Sequence, residues 1–326
     1  MQMKKDYSLS FVRFTATLLI ILCHMTQYLG FQLSWWFNAG MQMFLFLSGF
    51  LYGRRDQLKP LEFMTGRLKK LLTDYVIFAI LVVAAILILG RMRLSAMDII
   101  CFLLMRHTLP GLEHLWFLPY IFLCYLFTPV LHGLTRKLRE KSDGAFLLGA
   151  AATLVAVELA VEVLLPSSNP AWFNCYVLGM LFAGCEERKK LRRILTVTLV
   201  ALTLVTNGLR IWVQPQSYSV IFYILRGKWI SYAHGLLGIS VALGVRWLYL
   251  RLPRMAWTEK VLDLSDTYSY DVFLIHPFFI FGNHSIFALV GKAVPGGLLI
   301  LVLTALSAAA IHWLGVLFRK YIPFLK

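Results

Sequence analysis

Residues 8–30, SLSFVRFTATLLIILCHMTQYLG, form an apolar stretch long enough to cross a membrane as a helix, yet they include two ionisable side chains, Arg13 and His24. An ionisable group inside a bilayer-spanning helix is costly, by about 3 kcal/mol or more for arginine at the centre. His24 follows Arg13 by eleven positions. On a helix both side chains therefore leave one face, about 16 Å apart along the axis. We predict a membrane helix whose polar face carries a cation near its start and an imidazole deeper in the bilayer.

The rest of the chain has the same apolar character. Of its 326 residues 59% are hydrophobic and only 15% are charged, whereas soluble domains carry about 25% charged residues. Strands of a membrane barrel would be shorter than these apolar runs and would alternate. We therefore predict an all-α polytopic membrane protein with a single transmembrane domain over residues 1–326. Its bundle has about ten spans of bilayer length, namely 9–30, 36–53, 70–90, 116–133, 144–165, 170–185, 191–208, 230–250, 266–287 and 296–318.

The net charge of +16 would suit a nucleic-acid partner, but the distribution of the charges indicates membrane topology instead. With both the N-terminus and the C-terminus in the cytoplasm, 24 of the 32 Lys and Arg residues lie in cytoplasmic segments, 7 lie outside and Arg13 lies within a span. This asymmetry follows the positive-inside rule. We predict no nucleic-acid partner, and we interpret the basic loops as topology signals that also attract anionic membrane lipids.

Two other polar elements are candidates for chemistry. His276 lies near the middle of the ninth predicted span, and Pro277 removes a backbone donor and bends that helix. Glu113 and His114 precede Trp116 at the outer end of another span, where a tryptophan is ordinary interfacial anchoring. Each buried histidine could also be a structural hydrogen-bonding group between helices. If the fold brings the intramembrane histidines together, they form a site.

The second predicted span contains the motif SGFLYG. Gly49 and Gly53 are four residues apart, which predicts that a neighbouring helix approaches closely there. Ser48 beside them could line a cavity. On the cytoplasmic side, Arg67 and Lys70 head the third predicted span. They are either topology signals or part of a docking surface for a phosphorylated cytoplasmic cofactor.

Glu158 and Glu162 favour a different class of function. They are four residues apart in the fifth predicted span, and carboxylates placed in this way can relay protons in a transporter. The five cysteines show no metal-ligand spacing, so we predict small apolar side chains and no metal site.

Four stretches of the chain resemble the membrane-bound acyltransferase 3 family, and they occur in the order of that family. They are FVRFTATLLIILCH at 11–24, MQMFLFLSGFLYG at 41–53, HLWFLPYIFLCYLFTPVL at 114–131 and YSYDVFLIHPF at 268–278. The resemblance implies a bundle of about ten membrane helices, in agreement with the spans counted above. It also implies an O-acetyltransferase that uses acetyl-CoA or another acyl-CoA as co-substrate. The acceptor would be a hydroxyl of an extracytoplasmic glycan or lipid-linked saccharide, as in exopolysaccharide modification at the bacterial cytoplasmic membrane.

The resemblance also implies roles for individual residues. It makes His24 the catalytic histidine and Arg13 its companion. It matches Arg67, Tyr270 and His276, to which we assign the binding of acyl-CoA together with Lys70 and Ser48. It also matches Trp116, to which we assign the binding of the acceptor together with the neighbouring Glu113 and His114. Acyl-CoA, the acceptor and membrane lipids are the expected partners, and a homo-oligomer is also compatible with the sequence.

Two mechanisms and one alternative function remain open at this point. Neutral His24 could act as a general base on the acceptor hydroxyl, or it could take the acetyl group itself and relay it. The few outer cations, Arg93 and Arg106 among them, either form a solvated surface or attract an anionic acceptor. The alternative is a proton-coupled transporter of a glycan or small molecule that uses Glu158 and Glu162.

Overall fold

A computed structural model describes residues 5–90, 92–165, 168–213 and 220–321. Within these ranges every regular element is helical, which confirms the all-α fold. The α-helices are α1 (Tyr7–Tyr28), α2 (Ser34–Phe37), α3 (Ala39–Gly53), α4 (Pro60–Leu89), α5 (Ala96–Leu103), α6 (Phe117–Arg139), α7 (Asp143–Leu164), α8 (Pro170–Ala183), α9 (Lys189–Val213), α10 (Val220–Tyr249), α11 (Ala256–Ile280), α12 (Ile286–Val290) and α13 (Ala293–Tyr321). Two short 3₁₀ turns span Glu113–Trp116 and Gly282–His284.

Six of the helices in the described ranges are long and apolar enough to cross a membrane. A seventh span results if α11 is joined to the segment Gly282–Val290, which bends away from it by 80°. The sequence predicts about ten spans, whereas six or seven helices pass by length and apolar character. Part of this difference has a physical reason. The predicted spans at 36–53 and 170–185 correspond to α3 and α8, which have only 15 and 14 residues. The span count of ten and the cytoplasmic placement of both termini stay predictions.

The chain divides into two compact units. Unit 1 comprises residues 1–16, 38–59 and 126–259, and unit 2 comprises residues 17–37, 60–125 and 260–326. The boundary passes through α1, so that Arg13 belongs to unit 1 and His24 belongs to unit 2. The single domain over residues 1–326 stays a prediction.

Unit 1 is built around the contact between α3 and α8. A Cβ atom at Gly49 would lie 1.9 Å from the carbonyl oxygen of Tyr176, and a Cβ atom at Gly179 would lie 2.0 Å from that of Phe46. The two backbones are therefore in direct contact, as the glycines of the SGFLYG motif predict. Because lipid supplies little hydrophobic drive between helices, such close packing is a main source of association in a membrane.

One end of unit 1 carries a cluster of four charged side chains. Arg54 binds Asp6 at 3.0 Å and Glu186 at 2.9 Å, and Arg246 binds Glu186 at 2.8 Å. Burial opposes the ionisation of Asp6, yet the hydroxyl of Ser8 and the guanidinium groups of Arg246 and Arg54 lower the pKa of this carboxyl. The predicted cytoplasmic loops thus contain ion pairs as well as topology signals.

Unit 2 is built from α2, α4, α5, α12, α13, the two 3₁₀ turns, most of α11 and parts of α1 and α6. Its apolar core includes Phe78, Phe102 and Leu274, which are all fully buried. Helix α4 begins at Pro60, ten residues before the predicted start of the third span at residue 70. Proline is favoured in the first turn of a helix because its missing N–H has no helical partner there. Arg67 and Lys70 therefore lie on a helix and not in a loop.

Candidate active site

Three histidines from three elements meet in unit 2. His24 comes from α1, His114 from the turn Glu113–Trp116, and His276 from α11. The ring centroids are 5.0 Å apart for His24 and His276, 5.6 Å for His114 and His276, and 6.1 Å for His24 and His114. His276 is fully buried, His114 is buried, and His24 is partly exposed. We refer to these three residues as the histidine cluster.

Local contacts on α11 orient His276 in the cluster. Pro277 lies inside α11, where it cannot donate the backbone hydrogen bond to the carbonyl of Phe273. The imidazole Nδ1 of His276 lies 2.9 Å from the carbonyl oxygen of Val272, one turn earlier. The aromatic ring of Phe273 packs edge-on against His114 with centroids 5.2 Å apart. The local sequence FLIHPF thus fixes the orientation of one imidazole and packs against a second.

The hydrogen bonds of the cluster determine the tautomers of His276 and His24. A carbonyl oxygen only accepts, so Nδ1 of His276 carries the proton and donates it to Val272. The Nε2 atom of neutral His276 is then an acceptor. It lies 2.8 Å from Nδ1 of His24, which therefore donates. Neutral His24 consequently keeps the lone pair of its Nε2 atom available to accept a proton.

The surroundings of the cluster favour neutral imidazoles. Phe281 packs edge-on against His24 at a centroid distance of 5.6 Å, and Phe273 packs against His114 and His276. Among the described residues, neither ring nitrogen of buried His114 has a hydrogen-bond partner. Burying an imidazolium ion in an apolar site without a carboxylate partner is costly. The cluster is thus suited to accept one proton transiently.

The predicted acceptor-binding residues are distributed over the turn Glu113–Trp116. His114 belongs to the histidine cluster, and Trp116 packs edge-on against Tyr120 with centroids 5.5 Å apart. Glu113 is exposed, and its Oε1 atom accepts a hydrogen bond of 3.0 Å from the N–H of Gly111. Gly111 has a φ of +86°, a conformation that favours glycine. The carboxylate of Glu113 therefore stabilises the loop that leads into the turn.

Three of the predicted cofactor-binding residues lie close to one stretch of unit 2. The hydroxyl of Tyr270 donates a 3.1 Å hydrogen bond to the carbonyl oxygen of Leu71. Leu71 follows Lys70, which is exposed, and Arg67 lies one turn earlier on α4 and is partly exposed. Tyr270, Lys70 and Arg67 thus belong to neighbouring surfaces of α4 and α11.

Arg13 and Ser48 belong to unit 1, whereas the histidine cluster belongs to unit 2. Both residues are partly exposed, Arg13 on α1 and Ser48 on α3. Helix α1 is continuous from Tyr7 to Tyr28, so Arg13 keeps its helical spacing of eleven residues from His24. The catalytic and cofactor-binding roles of these residues stay predictions.

Glu158 and Glu162 each interact with a different neighbour in unit 1. The carboxylate of Glu158 accepts hydrogen bonds from the hydroxyl of Tyr232 and from the amide of Asn174, the latter at 3.1 Å. Glu162 forms an ion pair with Lys228. Two carboxylates with separate partners do not favour the transporter alternative.

The sequence analysis missed a second polar group inside unit 2. Asp74 of α4 forms an ion pair with Arg319 of α13, and Oδ2 of Asp271 on α11 lies 3.3 Å from Nδ1 of His312 on α13. Both carboxylates are almost fully buried. A signal was present, because an acidic residue inside a predicted span is costly and usually paired. These pairs join α13 to α4 and to α11.

The comparisons with known proteins identify a family for this chain. A family model described as an acyltransferase domain matches residues 6–314, nearly the whole chain. No curated protein and no solved structure matches the chain. Across the described residues, no group of three or more His, Cys, Asp or Glu side chains could hold a metal ion.

Proposed function

We propose that this chain, which belongs to the acyltransferase 3 family of membrane-bound acyltransferases, moves an acetyl group from cytoplasmic acetyl-CoA to a hydroxyl of an extracytoplasmic glycan or lipid-linked saccharide. The observation that carries the proposal is the hydrogen bond of 2.8 Å between His24 and His276. It leaves a basic nitrogen on His24 inside a largely apolar site. The acceptor would belong to a polysaccharide or other glycan at the surface of a bacterium, and the enzyme would lie in the cytoplasmic membrane.

In the general-base mechanism, Nε2 of His24 takes the proton from the acceptor hydroxyl. The acceptor oxygen then attacks the carbonyl carbon of the thioester, and the bond between this carbon and the sulfur of acetyl-CoA breaks. The imidazolium of His24 returns its proton to the thiolate of CoA. General-base assistance of this kind contributes about 10²–10⁴-fold to rate. His276 supports the step because it accepts the Nδ1–H of His24 and stabilises the charge that forms.

In the acyl-relay mechanism, Nε2 of His24 attacks the thioester directly and releases CoA thiolate. The acetyl group then passes from the imidazole to the acceptor hydroxyl, and the hydroxyl proton reaches the thiolate or water. The same tautomer of His24 serves both mechanisms, because each needs the lone pair of Nε2. We favour the general base, since the buried neighbours of His24 accommodate a proton with less rearrangement than an acetyl group.

The donor would approach along the surfaces of α4 and α11. Arg67 and Lys70 supply positive charge for the phosphates of CoA, which are costly to bury in an apolar medium. Tyr270 lies against the next turn of α4, and His276 follows Tyr270 on α11. Arg13 is the expected companion of His24 in catalysis, and Ser48 is a further expected donor-binding residue. On the acceptor side we assign Glu113, His114 and Trp116.

Turnover of labelled acetyl-CoA by the purified protein tests the proposal. We expect slow hydrolysis of the thioester without an acceptor, and a loss of about 10²-fold or more in His24→Ala. Cys23→Ala is the matched control, because Cys23 is the buried neighbour of His24 on α1 and its thiol donates a hydrogen bond to the carbonyl of Ser34. Equal hydrolysis by wild type and His24→Ala, with both folded in detergent, would reject the role of His24.

A further inference from the structure

Unit 2 contains a cavity of about 350 Å³, and of its lining residues the proposed function so far uses Trp116. The loop after α5, Tyr75 of α4 and the start of α6 enclose it. Its polar lining comes from Arg106, His107 and Thr108, and its aromatic wall is Trp116. Small-molecule sites in proteins have volumes of about 300–1,000 Å³ and combine apolar walls with a few convergent polar groups. The cavity fits this description.

The backbone at the rim of the cavity is strained. Met105 has a φ of +56° and is the one non-glycine residue with positive φ in the described part of the chain. The N–H of Met105 bonds the carbonyl of Phe102 at 3.0 Å, and the N–H of Arg106 bonds that of Cys101 at 2.8 Å. This pattern ends α5 with a residue in the left-handed conformation, a position where glycine is usual and a side chain is strained. The strained turn directs the residues after it into the cavity wall.

The base of the same turn is tied to α4. The carbonyl oxygen of Phe102 accepts a hydrogen bond from the hydroxyl of buried Tyr75 as well as from Met105. Tyr75 itself lines the cavity. A strained conformation persists only when its surroundings determine it strongly. These two hydrogen bonds, and the buried ring of Phe102 in the core of unit 2, meet that condition.

The chemistry of the lining residues selects a class of ligand. A guanidinium group binds a carboxylate through two parallel hydrogen bonds, and none of the residues that line this cavity within the described chain is acidic. The indole of Trp116, held edge-on by Tyr120, offers a flat apolar face with a polar edge. A pyranose ring presents a matching apolar face of C–H groups, and Thr108 can hydrogen-bond its hydroxyls.

We infer that the cavity binds the acceptor and that the acceptor is a saccharide carrying a carboxylate, with the sugar ring on Trp116 and the carboxylate on Arg106. The inference rests on the proposed acyltransferase function. One guanidinium group matches the single charge of a carboxylate. The turn Glu113–Trp116 connects the cavity to the catalytic cluster, because His114 packs against His24 and His276 while Leu115 and Trp116 line the cavity.

The test compares two probes that differ in one group, methyl β-glucuronide and methyl β-glucoside. Binding of each to the full-length protein in detergent is measured by saturation-transfer NMR titration. We expect wild type to bind the glucuronide about tenfold more tightly. In Arg106→Gln this preference falls to about twofold or less, and in Trp116→Phe both probes bind more weakly. Arg93→Gln is the matched control, because Arg93 is an exposed cation in the same segment that does not line the cavity.

Equal affinity of wild type for the two probes, or a preference that survives in Arg106→Gln, would overturn the inference. Thermal unfolding of each variant in the same detergent shows whether a loss of binding reflects a loss of fold. The outcome is independent of the test with acetyl-CoA. If His24→Ala hydrolyses acetyl-CoA as wild type does, the proposed function fails, whatever the probes show. If only the probe test fails, the transfer reaction stands and the acceptor binds elsewhere or carries no carboxylate.

Discussion

A chain of two hydrogen bonds determines which nitrogen of His24 can accept a proton. The carbonyl of Val272 fixes the proton on Nδ1 of His276, and Nε2 of His276 accepts from His24. If the hydrogen-bond partner of His24 were a carboxylate, that partner would carry a full negative charge. Here the partner is neutral, so the site stabilises an imidazolium less strongly and releases the proton more easily. This suits a step in which CoA thiolate takes the proton back.

Substitution of His276 tests its hydrogen bond with His24. His276→Phe keeps an aromatic ring at this position, but the acceptor for the Nδ1–H of His24 is lost, so the reactive tautomer is no longer favoured. We expect kcat for acetyl transfer to fall about 10–100-fold, with KM for acetyl-CoA within about twofold of wild type. Steady-state kinetics at several acetyl-CoA concentrations measure both constants.

His276→Gln serves as the conservative partner of this variant. Its side-chain amide oxygen can still accept the hydrogen bond from His24, so it should recover part of kcat. A variant His276→Phe with a raised KM and an unchanged kcat would show instead that His276 contacts the cofactor, which is the role implied by the family resemblance.

The sequence predicted the members of the site better than their contacts. Spacing on one helix placed Arg13 and His24 on one face, and the sequence singled out His276 beside Pro277 on α11. The meeting of His24, His114 and His276 needs three elements that are distant in the sequence, and no local pattern encodes that contact. The pairs Asp74–Arg319 and Asp271–His312 were missed for the same reason, although each buried carboxylate indicated that a partner was required.

At the scale of elements, the short helices α3 and α8 depend on direct backbone contact. Their glycines leave no room for a Cβ atom, because the nearest atoms at Gly49 and Gly179 belong to backbone carbonyls. Backbone atoms cannot rotate away as the end of a flexible side chain can. The interface therefore tolerates no added methyl group without a shift of a whole helix.

Substitution of Gly179 tests the contact between α3 and α8. Gly179→Ala places a Cβ atom 2.0 Å from the carbonyl oxygen of Phe46 and should destabilise unit 1 by about 1–3 kcal/mol through overpacking. Gly208→Ala on α9 is the matched control, because nothing lies within 4 Å of its added Cβ atom. Alanine there is the better helix former and should leave stability unchanged or slightly raised.

Thermal unfolding in one detergent, followed by circular dichroism, compares the two alanine variants. We expect a lower midpoint for Gly179→Ala and a midpoint at or slightly above that of wild type for Gly208→Ala. Equal midpoints for the two variants would contradict the close contact of α3 and α8.

Composition predicted the class of the whole molecule, but not the length of each span. A chain with 59% hydrophobic residues and only 15% charged residues is a polytopic membrane protein. Apolar runs alone did not show that α3 and α8 are short or that α4 begins at Pro60. Hydropathy measures the free energy of transfer of side chains into lipid. The first and last residues of these helices depend instead on packing against other helices and on residues that favour a helix start.

The proposed reaction involves substrates from both sides of the membrane. Acetyl-CoA is made in the cytoplasm, whereas the expected acceptor lies on the other side of the bilayer. The proposed reaction therefore requires one imidazole that both substrates can reach. His24 is the only proposed catalytic base, so its removal should stop transfer without altering the amount of protein in the membrane.

Acetylation of the surface glycans of cells, measured by mass spectrometry, tests this claim most directly. Cells that lack the gene are complemented with wild type, His24→Ala or Cys23→Ala at matched membrane levels. The account predicts acetylated glycan with wild type and with Cys23→Ala, and a loss of acetylation of about 10²-fold or more with His24→Ala. Wild-type levels of acetylated glycan in the His24→Ala cells would contradict it.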